Sequence, residues 1–160
     1  MNRSWILPMV VAAIFALVVA FLGETMTDLG PWYQALEKPG WTPPDWVFGL
    51  AWTVILALMA LAAVSTWRAA PNTRVSDMTV GLFALNGFLN ILWSLIFFRM
   101  QRPDWAFAEL LLLWLSIVAL IVFCGRYSRF AALALLPYLA WVTMAGVLNW
   151  QVVELNGPFG

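Results

Sequence analysis

Apolar residues fill five long blocks of this chain, and most of the prolines and charges lie in the stretches between them. A bilayer core of about 30 Å needs about 20 helical residues, and each block has about that length. The blocks lack the strict alternation of barrel strands, and a helix satisfies its own backbone in lipid, so we predict helices. The predicted spans are residues 5–23, 47–67, 78–98, 105–124 and 130–153.

The first connection between blocks differs from the others. Residues 68–77, 99–104 and 125–129 are short connections, so neighbouring helices are expected to run antiparallel. Residues 24–45 form a much longer connection that contains WYQALEKPGWTPPD. Loops of that length are commonly lids, binding loops or disordered segments. Because its prolines stiffen the backbone and its tryptophans supply apolar surface, we predict a structured lid.

The composition agrees with this pattern. Hydrophobic residues make up 64% of the chain and charged residues 10%, against about 45–50% and 25% in soluble domains. We therefore predict one membrane domain over residues 1–160: an all-α integral membrane bundle of five transmembrane helices with a long structured loop between the first two. The alternative for the first block is a signal peptide cleaved near Ala20, but the block is longer than the apolar part of most signal peptides.

Basic residues predict the orientation of the bundle, because Lys and Arg accumulate on the cytoplasmic side. Five of them fall on the side of the N-terminus and three on the opposite side, which favours a cytoplasmic N-terminus and a lid on the far side of the membrane. We expect a multi-pass protein of a bacterial membrane. The five are Arg3, Arg68, Arg74, Arg126 and Arg129, and the three are Lys38, Arg99 and Arg102.

Several classes of function are disfavoured by what the sequence lacks. It has no histidine, which removes the commonest metal ligand and general base, and Cys124 is its single cysteine, so we expect no metal site. No nucleotide-binding motif occurs, and the net charge of zero gives no sign of a basic surface for nucleic acid. We expect no tightly held cofactor, and a ligand that is bound mainly by aromatic and neutral polar side chains.

Polar residues follow one face of the third span. Asn86, Asn90 and Ser94 recur every four residues, and amides are expected to face the interior of the bundle rather than lipid. The plain interpretation is hydrogen bonding between helices, and the alternative is a ligand site. Glu109 lies about one turn inside the fourth span, where it would either extend to the interface or belong to an ion pathway.

The tryptophans fall into two groups. Those near span ends are explained by the aromatic belts that anchor helices at the membrane surface. Those inside the spans need another partner, and Trp93 shares the asparagine face while Tyr138, Trp141 and Ala145 share a face of the fifth span. A cavity between these faces would suit a flat, largely apolar molecule that stacks on indole rings. Its predicted walls are Trp52, Asn90, Trp93, Trp141 and Ala145.

Three segments together resemble the TspO/MBR family of tryptophan-rich sensory and translocator proteins. They are WYQALEKPGWTPPDWVFGLAW at 32–52, LNGFLNILWSLIFF at 85–98 and LLPYLAWVTMAGVLNW at 135–150, and the likeness covers nearly the whole chain in order. The resemblance implies a five-helix bundle, usually a homodimer, with a pocket near the long loop that binds porphyrins such as protoporphyrin IX. For mitochondrial members it also implies cholesterol and benzodiazepine-type drugs.

The resemblance also assigns roles to individual residues. It implies that Tyr33 and Trp41 belong to the loop that closes the pocket, that Trp52, Asn90 and Trp141 line it, and that Ala145 sets the room beside the ligand. Trp93 and Tyr138 join the predicted ligand-binding set through the faces that they share with these residues. The mitochondrial sterol motif needs a tyrosine followed by a basic residue, which LNWQVVELNG lacks, so cholesterol is less favoured as the natural ligand, while a sterol or lipid stays among the alternatives to a porphyrin or other flat apolar molecule.

Three functions remain open at this point. The first is a porphyrin- or tetrapyrrole-binding receptor with a sensing, regulatory or transport role. The second is light-dependent oxidative breakdown of bound protoporphyrin, in which Trp52 and Trp141 would donate electrons. The third is a structural or partner-binding membrane protein whose first span uses a stripe of small residues at Ala12, Ala16 and Ala20.

Overall fold

The computed structural model of the protein describes residues 4–160; Arg3, which entered the prediction of orientation, lies outside them. The described part contains five helices long and apolar enough to cross a membrane, so the predicted number of spans and the all-α fold class are confirmed. Together with a short helix in the lid, the helices are α1 (Ile6–Met26), α2 (Pro31–Ala35), α3 (Asp45–Ala69), α4 (Thr73–Ser94), α5 (Pro103–Gly125) and α6 (Arg129–Asn156). A π-helical segment, Leu95–Arg99, continues α4.

Each long helix extends beyond the apolar block that predicts it, and side-chain caps account for two of the extensions. The Asn72 side chain accepts a hydrogen bond from the Val75 N–H at 3.0 Å, so α4 begins five residues before the predicted span. The Ser128 hydroxyl accepts one from the Ala131 N–H at 3.1 Å at the start of α6. Such caps satisfy N–H groups that the first helical turn leaves free.

Four of the long helices form a ring. The most extensive contact joins α5 and α6, while α6 also packs on α3, α5 on α4, and α3 on α4. Helix α1 lies outside the ring against α3 and α4. Helices α4 and α6 are therefore diagonal to each other, and long side chains bridge the distance between them.

The core lies inside this ring. Ile117, Leu120 and Leu135 are fully buried there, with Tyr138 and Val142 on the next turns of α6. The outer surfaces are apolar as well, and most of α1 is exposed, which suits helices surrounded by lipid. The sequence places apolar residues on both surfaces because the solvent of this protein is the bilayer.

Helix α1 packs tightly against Gly87 of α4. A Cβ atom at this glycine would lie 2.9 Å from Cζ of Phe15 and 3.1 Å from Cγ2 of Val19. A side chain there would overlap both residues, so glycine is needed for the contact between α1 and α4. The small residues Ala12 and Ala16 line a recess of about 30 Å³ on the same side of the bundle.

Candidate functional site

The predicted cavity walls come from three helices of the ring. Trp52 lies on α3, Asn90 and Trp93 on α4, and Trp141 and Ala145 on α6. All five side chains are partly accessible, whereas the residues that support them are buried. Three helices thus contribute indole rings and one amide group to the predicted walls.

Tyr138 supports these walls from behind. Its side chain is 1% exposed, and its hydroxyl group accepts a hydrogen bond from the Asn90 amide at 3.2 Å and donates one to Oδ1 of Asn86 at 3.0 Å. The Asn86 amide continues the chain to the Ser116 hydroxyl at 2.8 Å. The network fixes the orientation of Asn90 and links α4, α5 and α6, which matches the predicted hydrogen bonding between helices.

A second polar link holds Trp93 in place. Its indole N–H donates to Oδ1 of Asn149 on α6 at 3.1 Å. The Asn149 amide in turn donates to the Pro103 carbonyl oxygen at 2.8 Å, at the start of α5. Because Asn149 is buried and bonded on both sides, it fixes the plane of the Trp93 ring.

The other two indoles are positioned by ring contacts. Trp52 meets Tyr138 edge to face, with ring centroids 6.0 Å apart, and Trp141 meets Phe48 in the same way at 5.3 Å. Edge-to-face packing fixes an indole by its rim and leaves room for a further contact on its face. Trp46, in contrast, is 70% exposed at the start of α3, which agrees with an interfacial anchor.

The lid, residues 27–44 between α1 and α3, packs on the π-helical end of α4. Tyr33 contacts Phe98 with ring centroids 5.5 Å apart, and Trp32 contacts Phe97 at 6.1 Å. Phe97 also contacts Trp93 at 5.1 Å. The rings therefore form a continuous connection from the lid to one wall of the predicted cavity.

Polar bonds attach the lid to the end of α6. The Glu37 N–H donates to Oδ1 of Asn156 at 2.8 Å, and the Asn156 amide donates to the Glu37 carbonyl oxygen at 2.8 Å. The Trp41 indole N–H donates to Oε1 of Gln151 at 2.9 Å. Trp41 is 45% exposed, so this bond lies on the outer side of the lid. It holds that side of the lid against α6.

Tyr33 is the buried residue of the lid helix. The ammonium group of Lys38 lies 4.3 Å from the centre of its ring and donates to the Tyr33 carbonyl oxygen at 2.7 Å. Burial, and secondarily the charge of Asp45, raise the pKa of the Tyr33 phenol above its ordinary value. The phenol thus stays protonated at neutral pH. The two contacts of Lys38 hold the following part of the lid against Tyr33.

A recess of about 160 Å³ opens beside the lid. Asp28, Trp32, Tyr33, Phe98 and Gln101 are among its lining residues. Of the predicted ligand-binding residues it includes Tyr33 alone, so it lies on the outer side of the aromatic connection. The predicted walls themselves are packed against the bundle core.

Sequence reasoning did not identify the residues that fasten the lid. Gln151 and Asn156 lie at the end of an apolar block, where polar residues are ordinary, and their distance from the lid in sequence gives no signal. Phe97 and Phe98 fall at the end of the third predicted span, where apolar residues are ordinary. Asn149 follows Ala145 by four residues on α6, but its role in holding Trp93 is visible only in the three-dimensional arrangement.

Comparison with known proteins gives one consistent result. The sequence profile of the TspO/MBR family matches residues 9–155. The tryptophan-rich protein TspO of Chlorobaculum tepidum is 37% identical over 158 residues, which cover 98% of this chain and 99% of that one. Protein CrtK of Rhodobacter capsulatus is 34% identical over 146 residues, covering 90% and 91%. The translocator protein of Homo sapiens is 34% identical over 126 residues, covering 78% and 75%.

Proposed function

Because the chain belongs to the TspO/MBR family and is an integral multi-pass membrane protein, we propose that it binds porphyrins such as protoporphyrin IX between α4 and α6. The lid would close over the bound molecule. Binding would serve a sensing, regulatory or transport role.

The observation that carries this proposal is the way in which α4 and α6 are joined. They lie diagonally across the ring, and the bonds from Asn90 to Tyr138 and from Trp93 to Asn149 bridge them. A space bridged by side chains can widen when rotamers change, whereas closely packed backbones would have to separate. A flat molecule could therefore enter with limited movement of the helices.

The chemistry of the walls suits such a molecule. Indole rings offer large flat surfaces for stacking on a conjugated macrocycle, and a few polar groups fix its orientation. Trp52, Trp93 and Trp141 come from three different helices, and neighbouring residues hold each of them in place. Walls that are already ordered lose little conformational entropy when a ligand binds.

The attachment of the lid also supports reversible access. The lid is tied to α6 by three hydrogen bonds at its exposed side, two to Asn156 and one to Gln151. Partly exposed hydrogen bonds of this kind each contribute only about 0.5–1.5 kcal/mol. The lid can therefore open without unfolding the bundle, and close again over an occupant.

A titration with protoporphyrin IX in the dark tests the proposal. We expect saturable quenching of tryptophan fluorescence in lipid nanodiscs, with free N-acetyltryptophanamide as the control for optical effects. In the double variant Trp52→Leu/Trp141→Leu, loss of two stacking rings should weaken binding by about 5-fold or more. The matched control is Trp46→Leu/Trp150→Leu, which removes two exposed tryptophans at span ends.

Two results would contradict the proposed site. Non-saturable quenching would mean that porphyrin only partitions into the lipid. Equal loss of affinity in the two double variants would mean that binding depends on tryptophans in general and not on the walls between α4 and α6.

A further inference from the structure

Glu109 is the one Asp, Glu, Lys or Arg side chain that is buried in the described part of the chain. It is 6% exposed on α5, and neither carboxyl oxygen has a hydrogen-bond partner among residues 4–160. The sequence-based prediction that this side chain extends to the membrane interface is therefore wrong. A buried polar group without a partner is uncommon in proteins, and within a membrane span it indicates a functional role.

The register of the helices places Glu109 beside the predicted cavity. The bond between Asn86 and Ser116 aligns α4 with α5. The two helices are antiparallel. Trp93, seven residues after Asn86, therefore lies level with Glu109, seven residues before Ser116. Phe97 and Ala106, each about one turn further from these residues, belong to the same buried cluster, which agrees with this alignment.

A contact with α6 gives the same level. Leu110, the next residue of α5, lies against Gly146, where a Cβ atom would come within 3.0 Å of the leucine side chain. Gly146 follows Ala145 of the predicted wall. The buried carboxyl group thus lies inside the bundle at the height of Trp93 and Ala145.

We propose that the Glu109 carboxyl group accepts a hydrogen bond from an N–H group of a molecule bound between α4 and α6. This inference rests on the proposed function and narrows its ligand class to flat, largely apolar molecules that carry an N–H donor. A carboxyl group keeps an acceptor oxygen in both of its protonation states, so the role holds across pH. The surrounding apolar residues strengthen such a bond, because they exclude competing water.

A pair of probes that differ in one donor tests this role directly. Carbazole and fluorene are flat tricyclic molecules of nearly the same shape, and carbazole alone carries an N–H group. We expect the wild-type protein in nanodiscs to bind carbazole about 5- to 10-fold more tightly than fluorene, after correction for their partition into empty nanodiscs. That ratio corresponds to one hydrogen bond in a buried site.

Three variants separate recognition from structure. Glu109→Leu removes the acceptor and should bring the carbazole-to-fluorene ratio close to one, while the affinity for fluorene changes little. Glu109→Gln keeps an amide oxygen and should retain most of the preference. Glu154→Leu, which removes an exposed carboxylate near the end of α6, should leave the ratio unchanged. Thermal unfolding of each variant shows whether the bundle is intact.

The outcomes distinguish this inference from the proposed function. Equal affinities for the two probes in the wild-type protein, or an unchanged ratio in Glu109→Leu, would overturn the role of Glu109 even if protoporphyrin IX still binds. The wild-type comparison stands by itself if a variant fails to fold. Failure of protoporphyrin IX and both probes to bind would reject the site and this inference together.

Discussion

Asn156 offers the sharpest test of how the lid is held. Its side chain bonds both the N–H and the carbonyl group of Glu37, each at 2.8 Å, in the way that a neighbouring backbone strand would. Replacement by alanine removes both bonds and leaves the backbone of α6 in place. The Trp41 bond to Gln151 and the aromatic packing of Tyr33 on Phe98 remain.

The magnitude follows from the two lost bonds. Each contributes about 0.5–1.5 kcal/mol, and their position at the exposed side of the lid favours the lower half of that range. We therefore expect Asn156→Ala to destabilise the closed lid by about 1–2 kcal/mol. The population of the open lid should rise about 5- to 30-fold, since each 1.4 kcal/mol is a factor of ten.

Hydrogen exchange measures this population in the amides of the lid. In the EX2 regime, the Glu37 amide and those of α2 should exchange about 5- to 30-fold faster in Asn156→Ala. The matched control is Leu155→Ala, which alters an exposed neighbouring residue of α6 that makes no bond to Glu37. If the lid governs release, dissociation of protoporphyrin IX should accelerate by a similar factor.

One result would refute this reasoning. If the Glu37 amide exchanged faster while the amides of α2 kept their wild-type rates, Asn156 would hold a local turn and not the lid. The aromatic contacts of Tyr33 and Trp32 would then be what keeps the lid closed.

Three further perturbations test the bundle and the lid. Tyr138→Phe removes the hydroxyl group between two asparagine amides and should destabilise the bundle by about 1–3 kcal/mol in reversible SDS unfolding, with Tyr127→Phe as the control. Gly87→Leu should separate α1 from α4 at a cost of about 1–3 kcal/mol, whereas Gly81→Leu, where a side chain meets open space, should cost little; equal effects would contradict the proposed close contact. Burial raises the pKa of the Tyr33 phenol above 10.0, so the lid stability that it provides is complete below pH 10 and is lost as pH rises through the raised pKa. The difference in tyrosinate absorbance between wild type and Tyr33→Phe measures that titration, and a midpoint at or below pH 10 would contradict the burial argument.

The number and kind of helices could be predicted because the thickness of the bilayer sets the length of each apolar block. The exact helix ends could not, since they depend on individual polar side chains such as Asn72 and Ser128 that look like ordinary loop residues. The inward face of α4 could also be predicted, because amides avoid lipid. Spacing gives the face of a residue but not its depth, so it could not show that Tyr138 lies behind the wall that Asn90 forms.

Phe97 and Phe98, on which the lid packs, show why the rest of the site could not be predicted from the sequence. In a regular α-helix, consecutive residues are separated by about 100° around the axis. A regular helix would therefore direct only one of Phe97 and Phe98 toward the lid. The π-helical segment is wider and reduces that separation, and both rings are buried, each against one lid aromatic.

The same segment also fixes where the lid begins. At its end, the Arg99 guanidinium donates to the Thr25 carbonyl oxygen at 2.6 Å in the last turn of α1. A single irregular turn therefore provides the surface on which α2 rests and fastens the chain from which the lid starts. Because π-helical turns are rare and often accompany functional sites, we interpret Leu95–Arg99 as part of the support of the lid and not as a defect of α4.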